Sequence, residues 1–312
     1  MLFFLISFLL SLYNFDYPSD LVARDNTFAL QMTKQIINNR QSVSFQIYRP
    51  LPPLKNSFSN SPTLEITAHS GIVIDKMSGE ILWQKNPEDV SSIASLTKLM
   101  TAIVFLETGP DFEKEYVMTK EDEVGITDSR LQVKTGEKLK VKDLFYSSLV
   151  GSANNATLAL VHSTGLPEEV FIIRMNEKVH QFGLAHTYFL DVTGLAPENK
   201  SNTLEYSRIA NYAFQNSKIR EAANLPEYTF ETIDRKVKHV IKNTNQLLID
   251  PDLHFIGAKT GYLEEAGYTF ACEAEENGHE IMIVLFGSES DCNRFREAKA
   301  LFTWTLQSYT WL

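Results

Sequence analysis

The sequence predicts a mixed α/β fold of the α+β kind: one antiparallel sheet built from both ends of a domain, flanking helices, and a helical subdomain inserted between the two sets of strands. Three observations carry this. Strand-like runs bounded by turn residues stand at 64–86 and again at 254–288. The stretch between them, about Thr108 to Ala223, is mostly helical in its apolar pattern. The late runs are separated by Gly-bearing turns, of which "ENGH" is a hairpin signal. Strands at both ends with helices between them favour one shared sheet.

In chain order, Met1 to Tyr13 is almost wholly apolar. It is shorter than the roughly 20 residues that span a bilayer. It has the length of a signal-peptide core, although no Lys or Arg precedes it and no clear small-residue cleavage site follows. It reads as a signal-like or anchor segment, with a buried N-terminal helix as the alternative. Residues 14–61 form an N-terminal extension, with one helix expected around Thr27 to Asn38. The extension ends in "RPLPPLKNSFSNSP" (Arg49 to Pro62), whose Pro, Ser and Asn content reads as a linker. The main domain is expected over 62–312.

That domain opens with a hairpin, "LEITAHSGIVID", "MSGE", "ILWQKN". "SLTKLMTAIVFLE" (Ser95 to Glu107) is apolar on nearly every face, as a helix through the middle of a domain is. "VKDLFYSSLV", "NNATLALVHST" and "TLEYSRIANYAFQN" read as further helices. "PEEVFIIRMNEKVHQFG" is amphipathic, with Phe171, Met175 and Val179 on one side. "HFIGAKTG", "AGYTFACEAE" and "HEIMIVLFGS" are strands, and "NRFREAKALFTWTLQSY" closes the chain as a helix. No internal repeat is present.

Composition excludes several classes. The 312 residues are 44% apolar, enough for a sizeable core. The net charge is −10 with no basic run, which argues against nucleic acid as a partner. The two cysteines, Cys272 and Cys292, form no CxxC; a disulfide between them stays open. The seven histidines show no metal-ligand spacing, so no metal site is expected. No GxGxxG, Walker or GxSxG sequence occurs.

Chemistry gathers at three places. Ser95 and Lys98 are i and i+3 and share a helix face. A serine hydroxyl attacks only when something takes its proton, and a lysine in an apolar stretch has its pKa lowered by up to about 3–5 units. The alternative is a serine cap followed by a lysine that snorkels to water. Ser152 and Asn154 flank Ala153 on a short connection between two helices. They point a hydroxyl and an amide into a cleft, or else serve as turn and cap residues. Lys-Thr-Gly occurs twice. Lys134 stands in the charged "VKTGEKLKVKD" and reads as a solvated turn. Lys259 ends the apolar run "LHFIGA" and belongs on a strand, whose edge can pair with an extended peptide. There Lys259 supplies charge, Thr260 a hydroxyl, and Gly261 room for close approach.

SxxK, SxN and KTG in this order, on helix, loop and strand, resemble the serine acyltransferases of the penicillin-binding and β-lactamase group. More closely, the chain is similar to the low-molecular-mass D-Ala-D-Ala carboxypeptidases. The motifs are "SGEILWQKN", "ASLTKLMTA" at Ala94 to Ala102, Thr193-Gly194-Leu195 with Asn199, and Lys259-Thr260-Gly261 followed by Ala266-Gly267-Tyr268. The resemblance runs from about Pro62 to the C-terminus. It implies the β-lactamase/transpeptidase-like fold and a serine D,D-carboxypeptidase acting on peptidoglycan stem peptides that end in D-Ala-D-Ala, with β-lactams as covalent inhibitors. It implies no cofactor, and a compartment outside the cytoplasmic membrane.

By the same resemblance Ser95 is acylated and Lys98 is its base. Ser152 and Asn154 carry protons and hold the substrate amide. Lys259 and Thr260 bind the terminal carboxylate, and the backbone N–H groups of Ser95 and Tyr262 hold the oxyanion. Arg296, in "FREAKALF", assists with the carboxylate, unless it is a surface arginine. The chain departs from the family in having Ala153 where Gly is common. It is also expected to lack the second, β-rich domain and the C-terminal amphipathic tether, which leaves any membrane attachment to the N-terminal apolar segment. The alternatives are a D,D-endopeptidase, a β-lactamase and a non-catalytic wall-binding module. Against the β-lactamase, the string nearest its Glu-x-x-Leu-Asn is Glu198-Asn199-Lys200-Ser201-Asn202.

Overall fold

The computed structural model describes residues 51–56, 64–126, 128–251 and 253–311. In chain order the strands are β1 (Leu54–Lys55), β2 (Ser70–Asp75), β3 (Ile81–Lys85), β4 (Ser91–Ser92), β5 (Glu115–Val117), β6 (Lys138–Lys140), β7 (Lys200–Ser201), β8 (Glu227–Glu231), β9 (Lys238–Lys242), β10 (His254–Leu263), β11 (Gly267–Glu276), β12 (His279–Ser288) and β13 (Tyr309–Thr310). The helices are α1 (Thr97–Glu107), α2 (Val141–Val150), α3 (Asn154–His162), α4 (Glu168–Gln181), α5 (Thr203–Gln215), α6 (Ser217–Asn224) and α7 (Asp291–Ser308).

The main sheet has the order β10-β11-β12-β2-β3 and is antiparallel throughout. Its central joint is β12 against β2, with Val284 opposite Ile72, so both ends of the domain meet there as expected. The turns follow from their residues. Asn277 and Gly278 both take positive φ, as the two-residue turn between β11 and β12 requires. Between β2 and β3, Asp75 accepts from the Ser78 N–H, and Gly79 takes φ +78°.

Both faces of the sheet are covered. Along β12, Met282, Val284 and Phe286 face the larger core, which includes α1, α2, α3 and α5, while Ile281, Ile283 and Leu285 face Phe295, Ala298, Leu301 and Phe302 of α7. The alternation is the period of two of a strand. Every residue of α1 from Thr97 to Phe105 is buried. On α4, Phe171, Met175 and Val179 are the buried stripe.

The insert carries helices α2 to α6 between Val141 and Asn224, interrupted by a long loop with β7, and two ribbons, β5 with β6 and β8 with β9. Lys134-Thr135-Gly136 is a solvated turn before β6, with Lys134 exposed and Gly136 at φ +89°.

One expectation is corrected, and the open question of a disulfide is answered. Part of the Arg49–Pro62 stretch is not a linker: β1 pairs with β13, and the Asn56 N–H donates to the Ser308 carbonyl over 2.8 Å. The two cysteines are free, because Cys272 points into the buried layer under α7 while Cys292 lies exposed on the first turn of that helix. Among the described residues no helix is long and apolar enough to cross a membrane. Met1–Tyr13 and the Thr27–Asn38 helix lie outside the described residues.

Candidate active site

Ser95 sits in a tight helical turn, Ala94–Leu96, that leads directly into α1. Ala94 takes φ +49°, a left-handed conformation that costs a non-glycine residue roughly 1–3 kcal/mol. The turn is held from three sides. Tyr206 donates its hydroxyl to the Leu96 carbonyl over 2.7 Å. The Ile93 N–H donates to the Asn199 carbonyl, and the Asn199 side chain reaches Thr97 Oγ1. Gly194 lies against it so closely that a Cβ there would stand 2.0 Å from the Ala94 carbonyl oxygen.

Lys98, on the first turn of α1, is wholly buried. Its Nζ lies 2.9 Å from Ser95 Oγ, 2.7 Å from Asn154 Oδ1 and 2.6 Å from the Thr193 carbonyl oxygen. The latter two atoms can only accept. They take two N–H bonds, which is all that a neutral amine has, and leave its lone pair toward the Ser95 hydroxyl. Burial pulls the Lys98 pKa down to about 7, against the carboxylates of Asp191 and Asp128, which hold it up. Asn154 is oriented by its other end: Nδ2 donates to Asp128 Oδ1 over 3.1 Å.

The SxN turn joins α2 to α3, as read from the sequence, with Ser152 in left-handed φ, +56°. Ser152 Oγ accepts from Lys259 Nζ over 2.8 Å, and the same amine donates to the Thr260 carbonyl over 2.9 Å. Burial pushes Lys259 well below the usual lysine range, and the nearby charges of Lys98 and Arg294 push the same way.

A cleft of about 140 Å³ opens over these groups. Ser95, Ser152, Asn154, Thr260, Gly261 and Tyr262 all line it, so the structure brings six of the nine expected residues to one surface. The two lysines lie behind that surface, and each touches a cleft-lining hydroxyl: Lys98 touches Ser95, and Lys259 touches Ser152. Gly261 is needed for a reason other than ligand approach alone. A Cβ there would stand 2.4 Å from Thr269 Oγ1 and 3.0 Å from the Ser95 backbone nitrogen. Tyr262 is 54% exposed, and its ring packs on that of Tyr268 with the centroids 4.4 Å apart.

Arg296 is not part of this site. It points outward from α7, exposed, and donates to Asn293 Oδ1 on its own helix. Arg294, two residues earlier, faces the sheet and lines the cleft, with Nη1 2.8 Å from the Gly261 carbonyl oxygen. Helical spacing carries the signal for it: Arg294 shares a face with Ala298, Leu301 and Thr305, all buried. Other residues at or near the cleft also escape the sequence reading. Asp128 and Thr244 line the cleft, and Asp191 holds the Thr193–Leu195 turn through bonds to Thr193 Oγ1 and the N–H groups of Gly194 and Leu195.

The sequence profile of peptidase family S11, D-alanyl-D-alanine carboxypeptidase, matches residues 56–290. The D-alanyl-D-alanine endopeptidase of Haemophilus influenzae is 35% identical over 201 residues, 64% of this chain and 68% of that protein. The D-alanyl-D-alanine carboxypeptidase DacF of Bacillus subtilis is 26% identical over 268 residues, 84% of this chain and 68% of that one. Among solved structures, the Streptomyces K15 DD-transpeptidase superposes with a TM-score of 0.74 at 27% identity, covering 80% of this chain and 99% of the other.

Proposed function

The chain belongs to the D-alanyl-D-alanine carboxypeptidase family of serine peptidases and has the β-lactamase/transpeptidase-like fold; from that premise we propose that it removes the terminal D-Ala from peptidoglycan stem peptides through an acyl-enzyme on Ser95. Lys98 takes the Ser95 proton, and Oγ attacks the carbonyl carbon of the penultimate D-Ala. The oxyanion rests on the backbone N–H groups of Ser95 and Tyr262. The tetrahedral species collapses, the C–N bond breaks, and the leaving D-Ala amine collects the proton that Lys98 took, passed through Ser152, which returns Lys98 to its neutral form. Water then hydrolyses the ester, with Lys98 again as base. Asn154 holds the substrate amide. Thr260 and Arg294 receive the terminal carboxylate, and Lys259 supplies positive charge behind them.

The observation that carries the reading is Lys98 Nζ, fully buried and 2.9 Å from Ser95 Oγ. A lysine kept dry and bonded in this way is suited to act as a base near neutral pH. A strained β-lactam acylates the same serine. Among the described cleft-lining residues none is a glutamate, and Glu198 is exposed, which favours slow release of the β-lactam over its turnover. Cell-wall substrates place the work outside the cytoplasmic membrane, with the N-terminal apolar segment as the means of export or attachment.

Fluorescent penicillin is expected to label the wild type and not Ser95→Ala. A pentapeptide ending in D-Ala-D-Ala is expected to lose D-Ala only to the wild type; no release above the Ser95→Ala background overturns the carboxypeptidase reading. Faster cleavage of cross-linked dimers than of the pentapeptide would make the enzyme an endopeptidase, and rapid turnover of a chromogenic cephalosporin would make it a β-lactamase.

A further inference from the structure

Thr244 has no part in the reaction as written above, yet its side chain lines the cleft. Its Oγ1 stands 2.6 Å from Oγ1 of Thr260. The placement is built, since Asn243-Thr244-Asn245 is pinned on both sides of the threonine. Asn243 Nδ2 donates to the carbonyls of Ala223 and Leu225, and Asn243 Oδ1 accepts from the Asn245 N–H. Asn245, itself buried, accepts from the Leu247 N–H, and the Thr244 N–H donates to the Val150 carbonyl, next to the SxN turn.

At the carboxylate end of the cleft the two basic side chains give much of their donor capacity to the protein itself. Lys259 is 2% exposed and its bonds run to Ser152 and to the Thr260 carbonyl. The Arg294 Nη atoms are bonded to the Gly261 and Thr269 carbonyls and to Asp291. Beside Arg294, the cleft-lining donor there is the Thr260 hydroxyl, and its direction is set by a second hydroxyl. Two hydroxyls 2.6 Å apart share one proton between their oxygens and have one to give away. For Thr260 to donate into the cleft, Thr244 must donate to Thr260. If the bond runs the other way, Thr260 offers only a lone pair to a carboxylate, and the contact becomes repulsive.

We propose that Thr244 is a positioning residue for substrate recognition: its hydroxyl donates to Thr260 Oγ1 and so fixes the Thr260 proton toward the carboxylate of a D-amino-acid terminus. The two bonds then run in series, and each polarises the other. This rests on the carboxypeptidase reading of the site. It adds a determinant for an anionic C-terminus that the SxxK, SxN and KTG motifs do not contain.

The test uses two peptides, one ending in D-Ala-D-Ala and the same peptide ending in D-alaninamide, assayed on single preparations of the full-length protein. The ratio of kcat/KM for the two is independent of how much of a preparation is folded. Thr244→Val is expected to lower the preference for the free carboxylate by about ten-fold, chiefly through KM, as loss of a hydrogen bond to a charged group does. Thr244→Ser is expected to restore it. An unchanged ratio in Thr244→Val, or a Thr244→Ser ratio no better than that of Thr244→Val, overturns the proposal, because a merely structural role lowers both substrates alike. A wild type that releases D-amino product from neither peptide removes the carboxypeptidase reading and this inference with it, whereas an active wild type with an indifferent Thr244 removes only the inference.

Discussion

Lys259 stands behind Ser152: its Nζ donates to Ser152 Oγ over 2.8 Å, and the serine, not the lysine, lines the cleft. A buried amine whose bond to the cleft side runs through one hydroxyl acts through that hydroxyl. Ser152→Ala leaves Lys259 with the Thr260 carbonyl alone, and Lys259→Met frees Ser152 to rotate. Each is expected to slow acylation about 100-fold, within the range of a lost proton-transfer partner. The double variant is expected to be no slower than the worse single one, because residues that act as a unit are not additive. Acylation rates with fluorescent penicillin read this, and additive losses would show two independent roles.

The pH profile should report Lys98. Only its neutral amine accepts the Ser95 proton, so acylation is expected to rise as pH climbs through about 7. Burial sets that low value, and the carboxylates of Asp191 and Asp128 oppose it. Asp191 is tied into the Thr193–Leu195 turn and Asn199, but Asp128 is exposed at the cleft mouth. Asp128→Asn removes a charge that stabilises the ammonium, so the ascending limb is expected to move to lower pH. A limb that stays in place, or moves up, would show that Asp128 does not reach Lys98.

The Ser95–Lys98 pair, the SxN turn and the KTG strand are legible because each is a short run whose parts lie on one element. What escaped was set by packing between elements. Lys98 is completed by the Thr193 carbonyl and by Asn154, whose orientation comes from Asp128 in a loop before α2. The β8–β9 ribbon was not read, because "EYTFE" and "KHVIK" alternate weakly and only Phe230 among them is buried. Pairing of β1 with β13 joins two short strands far apart in sequence, and no local pattern announces it. Only likeness to a motif points to Arg296. The helical period of α7 points instead to Arg294, since Arg294, Ala298, Leu301 and Thr305 are buried together.

Those two arginines separate cleanly in an experiment. Arg294→Ala is expected to raise KM for the D-Ala-D-Ala peptide by about ten-fold or more, as loss of a charged partner at a carboxylate does. It also strips the Gly261 carbonyl of its donor, so slower penicillin acylation should accompany it. Arg296→Ala removes an exposed side chain that bonds Asn293 on its own helix and is expected to stay within about 0.5 kcal/mol of wild type in stability, with unchanged KM. Equal effects of the two would mean that the cleft-facing position of Arg294 is immaterial.

Two glycines of nearly equal φ separate strain from contact. Gly194 has φ +90° and Gly136 φ +89°, so alanine is disfavoured at both. At Gly136 a Cβ meets no atom of the described residues within 4 Å. Gly136→Ala is therefore expected to cost about 1–2 kcal/mol, the conformational term alone. At Gly194 a Cβ would lie 2.0 Å from the Ala94 carbonyl oxygen and 2.9 Å from the Ser95 backbone nitrogen. Both neighbours are backbone, so relief requires the nucleophile turn itself to move. Gly194→Ala is thus expected to cost at least about twice as much, lowering Tm by several degrees at roughly 2–4 °C per kcal/mol. The sharper distinction is functional. Penicillin labelling should survive Gly136→Ala and fall steeply in Gly194→Ala, even at temperatures where the folded fraction by circular dichroism is full. Labelling of Gly194→Ala at the wild-type rate would mean that the Ala94–Leu96 turn tolerates displacement, and that the close approach of Gly194 holds the fold rather than the nucleophile.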